Sequence, residues 1–76
     1  MTAAEFFVVC LEAGADDDLL VGRVYRACED PAGERSGFIR VWDASGEDYL
    51  YPSEHFVRLS LAGWERERLA AALSSP

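Results

Sequence analysis

Five short runs of β-branched and aromatic residues, each cut off by turn-forming residues, leave this chain few folds to choose from. Residues 6–11, FFVVCL, are apolar throughout, the pattern of a strand covered on both faces. They stop at EAGADDD, where Gly14 and three consecutive aspartates predict a solvated loop. Residues 22–29, GRVYRACE, alternate roughly with period two and predict a second strand, ended by Asp30-Pro31 and Gly33. Residues 37–43 predict a third, with Ile39 and Val41 on one face and Phe38, Arg40 and Trp42 on the other. The tight DASGED connection holds Gly46, where a positive φ is cheap, and residues 48–51 follow as a fourth strand antiparallel to the third. Pro52 ends that strand, because proline has no N–H to give to a ladder. A single helical turn at 53–56 then opens onto a fifth strand, 57–61, in which Val57, Leu59 and Leu61 alternate with Arg58 and Ser60.

Beyond Ala62-Gly63 the character changes. WERERLAAALSSP has good helix formers, acids early and no β-branched residue, so residues 63–73 are expected to form a helix. Leu69 and Leu73 lie four apart and share one face, which would dock the helix over an open barrel end. The 76 residues make one domain, 1–76, with a β-barrel over 5–61, near the lower size limit for unaided folding. Half the residues are apolar, too many for a disordered chain. A sandwich needs more strands than five. The expected fold is all-β: a small, partly open, five-stranded antiparallel barrel with a short C-terminal α-helix.

The segment YLYPSEHFVRL resembles the closing segment of Src-homology-3 domains, in which Pro-Ser, a single 3₁₀ turn, an aromatic and a valine open the last strand. Pro52, Ser53, Phe56 and Val57 match in order. The resemblance implies a Src-homology-3-like barrel. Those domains grip proline-rich peptides with an aromatic cluster, and most of it is missing here. There is no ALYDY-like run, Gly37-Phe38 stands where a tryptophan would open the third strand, and Phe56 replaces a tyrosine. Only Pro52 and Phe56 carry any trace of that groove. Over roughly residues 7–59 the chain also resembles a family of short bacterial proteins that share the SGEDYLYP run. That likeness implies a bacterial setting and no established activity.

Fourteen acids face seven arginines and no lysine, a net charge of −7. Nucleic-acid binding runs on basic residues that displace counterions, so no nucleic-acid partner is expected unless Arg23, Arg26, Arg40 and Arg58 cluster. Anionic membranes are disfavoured for the same reason. The first residues lack a basic region, and the apolar run 6–11 is too short for an export signal or a bilayer span, so the expected compartment is cytoplasmic. Cys10 and Cys28 are not in a C-x-x-C pair; they read either as buried thiols or as a cross-strand disulfide.

No catalytic, metal or cofactor site is expected. Ser53, Glu54 and His55 hold the letters of a hydrolase triad, but contiguous side chains diverge and cannot take nucleophile–base–orienter geometry. Asp16, Asp17 and Asp18 lack the spacing of a calcium loop. Cys10, Cys28 and His55 lack the local pairing of a zinc site. Glu47 and Asp48 sit at a hairpin, where Asp48 either bonds turn N–H groups or pairs with a strand arginine such as Arg40. What remains is a surface. Phe38, Trp42, Tyr49, Tyr51, Pro52 and Phe56 are the candidate interaction residues, because a small barrel cannot hide every aromatic. The expected function is a non-enzymatic, acidic module that contacts a protein or peptide, with a homo-oligomeric building block as the alternative. A small-molecule-binding or hydrolytic role ranks third.

Overall fold

The computed structural model describes residues 4–74 and forms all five strands. They are β1 (Glu5–Cys10), β2 (Val24–Cys28), β3 (Phe38–Trp42), β4 (Asp48–Pro52) and β5 (Phe56–Arg58). Every neighbouring pair is antiparallel, and the order β4-β3-β2-β1-β5 curls into a half-barrel with a C-terminal helix. The meander β1 to β4 follows from short turns. β5 returns to the far side of β1, where Val8 lies across from Arg58. Among the described residues no helix is long and apolar enough to cross a membrane.

Alternation sorts each strand into two faces. Phe6, Val8 and Cys10 of β1, Tyr25 and Ala27 of β2, and Val41 of β3 point into the concave core with Tyr51 and Phe56. Tyr51 and Phe56 meet edge to face, with ring centroids 6.1 Å apart. Leu19 folds in from the β1–β2 loop to complete this core. Full burial of one such side chain contributes about 1.5–3 kcal/mol, which in a domain this small makes each one count.

Three local expectations need correction. The segment expected to be only a turn at Asp30-Pro31 and Gly33 contains a short helix, α1 (Pro31–Arg35). Asp30 caps it, accepting the Gly33 N–H at 3.0 Å, and Glu34 reaches back to the Asp30 N–H at 3.1 Å. The fifth strand begins at Phe56 and ends at Arg58, earlier than the predicted 57–61, because the chain turns away after Leu59 bonds Phe7. The C-terminal helix, α2 (Gly63–Ser74), forms as predicted but does not dock over the barrel end through Leu69 and Leu73. It buries no side chain; Trp64 is 65% and Leu73 42% exposed. Its apolar residues do not gather into a stripe wide enough to compete for the core.

Candidate functional site

Register decides where the aromatic residues go. β3 and β4 pair Val41 with Tyr49 and Ile39 with Tyr51, while Trp42 faces Asp48 and Phe38 faces Pro52. Tyr49 and Tyr51 therefore lie on the concave side with the core, and Phe38, Trp42 and Pro52 on the convex side. The six candidate residues form no single patch. Tyr51 and Phe56 are core residues, and Tyr49, half exposed at the sheet edge, gives its hydroxyl to Glu47. Phe38 and Pro52 sit at one end of the β3–β4 hairpin and Trp42 at the other.

Trp42 does line a site, with different neighbours. On the convex face, continuing the β2–β3 register puts Trp42 across from Arg26, which pairs on its other side with Phe7. Beside this row, Leu20, Arg23 and Val24 join Trp42, Arg26 and Leu73 of α2 around an open cleft of about 530 Å³, larger than two others of about 140 and 220 Å³. The walls are held by backbone. Leu20 donates its N–H to the Tyr25 hydroxyl at 2.7 Å, and Ala44 donates to the Asp18 carbonyl at 2.9 Å. Gly22, at φ +86°, turns the loop back into β2 and donates to the Cys10 carbonyl at 2.7 Å. The α2 end is held by a hydrogen bond from Arg26 Nη2 to Ser74 Oγ, 3.2 Å long.

Asp43 borders the same cleft and organises the hairpin beside it. One carboxylate oxygen accepts the Ser45 N–H at 2.9 Å and the Ser45 hydroxyl; the other accepts the buried Tyr51 hydroxyl at 2.6 Å. Burial alone would raise this carboxyl, but the bonds from Ser45 and Tyr51 outweigh it and hold Asp43 below the ordinary carboxylate range. Burial, and then the hydrogen bond to Asp43, push the Tyr51 hydroxyl far up, so it remains a donor. Asp43 was not among the residues expected to matter, although an aspartate followed two residues on by serine at a strand end is an Asx-turn signal that could have marked it.

The arginines are distributed rather than clustered. Arg40 is clamped between Asp30 and Asp48, at 2.9 and 3.0 Å. Of the two roles open to Asp48, the structure shows the pair with Arg40. The Gly33 N–H, and then Arg40, hold the Asp30 carboxyl below its ordinary value. Arg58 lies 3.8 Å over the Phe6 ring on the opposite face. Arg23 and Arg26 line the cleft, and among the described residues neither has a carboxylate partner.

The remaining sequence candidates separate in space. Ser53, Glu54 and His55 form the 3₁₀ turn, and His55 Nε2 lies 3.5 Å from the exposed Glu12 carboxylate. Cys10 and Cys28 are both free and buried, so the disulfide alternative is corrected: Cys10 points into the core and Cys28 to the convex face, at opposite ends of the β1–β2 ladder. Burial is the main cause that raises both thiols. Among the described residues no three His, Cys, Asp or Glu side chains come together in a way that could hold a metal ion.

Against protein-family models, curated proteins and solved structures the chain has no significant match.

Proposed function

We propose that this chain is a non-enzymatic, acidic protein-interaction module that holds a protein or peptide segment in the Trp42 cleft. The observation that carries the reading is the cleft itself. It joins apolar side chains, Trp42, Leu20, Val24 and Leu73, to two arginines that among the described residues have no carboxylate partner. Leu20 and its neighbour Val21 are 56% and 64% exposed, a large apolar surface for so small a domain. The polar groups that could do chemistry are committed elsewhere: Asp43 to Ser45 and Tyr51, the thiols to the interior, His55 to an exposed turn.

The Src-homology-3-like architecture belongs to this reading. It is supported by β1 lying between β2 and β5, and by the 3₁₀ turn after Pro52 that opens the last strand. The cleft is not that family's peptide groove. Phe56 is buried, and Pro52 is at the far end of the hairpin from Trp42. A bacterial, cytoplasmic setting goes with the reading and rests on the sequence alone.

The test compares proteins that co-purify with the wild-type chain, with Trp42→Ala and with Phe38→Ser, which alters the other end of the convex face. All three should keep their far-ultraviolet circular dichroism and a cooperative melt. Partners lost from Trp42→Ala and kept by Phe38→Ser support the cleft. Identical partner sets on folded variants would sink it.

A further inference from the structure

Among the described residues that line the Trp42 cleft, Asp43 is the one acid, and both its oxygens already accept bonds, from Ser45 and Tyr51. The nearby acids of the β1–β2 loop act elsewhere. Asp17 and Asp18 lie close enough to Tyr51, and Asp17 to Cys10, for their charges to bear on groups of the concave side. Asp30 and Asp48 are taken up by Arg40. In a chain of net charge −7 the cleft is thus a place where uncommitted positive charge, that of Arg23 and Arg26, meets an apolar wall. Arg26 gives one N–H to the uncharged Ser74 hydroxyl, and a guanidinium has five to give.

We propose that the segment held in the cleft is acidic: a short stretch of a partner protein in which one large apolar side chain is flanked by carboxylates. This rests on the reading of the cleft as a protein-contact site and names the chemistry of its occupant. Trp42, Leu20, Val24 and Leu73 offer the apolar side chain a wall. Arg23 and Arg26 offer the carboxylates guanidinium forks, whose paired N–H groups match them in geometry as well as in charge. The volume, about 530 Å³, is that of a pocket filled by a few residues rather than by a whole domain. A basic segment would set its cations against two arginines and find no uncommitted carboxylate among the described lining residues. A wholly apolar one would cover the arginines and leave them unpaired, at a cost in lost hydration that carboxylates remove. Single-stranded nucleic acid would offer phosphates to the arginines and a base to Trp42, but it would bring a dense run of negative charge against a chain of −7.

The experiment pans a displayed library of random linear peptides on the wild-type chain, with Trp42→Ala as the counter-selection. Enriched sequences are expected to carry Asp or Glu on both sides of a large apolar residue. The most enriched peptide is then made with a fluorescent tag and titrated by polarisation. Its affinity should fall roughly tenfold or more when its acids are changed to amides, when R23Q/R26Q replaces the wild type, or when salt is raised from about 0.05 to 0.5 M. Circular dichroism checks each variant's fold. If R23Q/R26Q unfolds, the amide peptide and the salt series decide, since both use the wild-type chain. Enrichment of basic or uncharged peptides overturns the proposal, as do acidic peptides that bind R23Q/R26Q or Trp42→Ala as tightly as wild type. So does tighter binding of a tagged thymidine oligonucleotide, or self-association of the wild type that Trp42→Ala removes. A library that yields no Trp42-dependent sequence overturns it too. If Trp42→Ala nonetheless loses its co-purifying partners, the interaction reading stands and only the acidic occupant falls. If folded Trp42→Ala keeps every partner as well, both fall.

Discussion

Replacing Tyr51 by Phe tests the polar corner that fixes the end of the β3–β4 hairpin. The substitution keeps the ring, and so the edge-to-face contact with Phe56, and removes only the hydroxyl that donates to Asp43 at 2.6 Å. Asp43 is 8% exposed, so water has little access to replace the lost donor. A hydrogen bond to a charged group in such a place contributes about 1.5–3 kcal/mol. Because Ser45 still donates twice to the other oxygen, the expected cost is near the lower half of that range, about 2 kcal/mol. For a domain of this size that lowers Tm by roughly 8–16 °C. Urea unfolding followed by tryptophan fluorescence at pH 7 measures it directly. The pH dependence supplies a second readout. Asp43 has a lowered value in the folded state, so its contribution is fully present above the ordinary carboxylate range and is lost as pH falls through the lowered value. The gap between wild type and Tyr51→Phe should therefore shrink in acid, once Asp43 is protonated. A cost below about 0.5 kcal/mol at pH 7 refutes the claim that this bond holds the corner.

Two glycines should respond differently to alanine. Gly46 adopts φ +86° with open space around it, so Gly46→Ala meets pure backbone strain and should cost about 1 kcal/mol or more in urea unfolding. Gly33 lies in α1, where an added Cβ would come within 2.9 Å of the tip of Leu50, a side chain 43% exposed and able to swing away, and within ordinary contact of the Asp30 carboxyl at 3.4 Å; Gly33→Ala should stay within about 0.5 kcal/mol of wild type. Both thiols should be silent to an aromatic disulfide reagent at pH 8 in the folded protein and react fully in denaturant, because burial raises their pKa and blocks access. Rapid native-state labelling of Cys10, which is wholly inaccessible in the core, would contradict the packing described.

The strands were legible because each is a short, dense block of β formers closed by a residue with a definite reason to stop, Pro52 foremost. The 3₁₀ turn at 53–55 and α2 were legible for similar local reasons. α1 was not, because Pro31 and Gly33 punctuate a turn as readily as they fit a first helical turn; the tell was Asp30 with Glu34, whose reciprocal bonds form only once the chain is helical. The site was harder. Phe38, Trp42, Tyr49 and Tyr51 were grouped because their strands are adjacent, but adjacency says nothing of register, and one position of offset exchanges the faces. The cleft joins Leu20 to Trp42 and Leu73, residues from a loop, a strand and a helix whose meeting depends on tertiary contacts that no local pattern records.

The placement of β1 in the sheet has a consequence for how the chain is born. β1 is made before the other strands, yet its second neighbour is β5, and Val8 must wait for Arg58, 50 positions later. The hairpins β2–β3 and β3–β4 close locally and quickly, while this last pairing carries the largest loop-closure entropy in the sheet. On the ribosome, the most apolar of the described strands would be held with one edge unsatisfied until β5 has been synthesised. Zippering β5 onto β1 is then the step that retires this exposed edge, and substitutions at Val57, which pairs across the ladder with Val9, should alter folding speed more than their half-exposed place in the finished fold suggests.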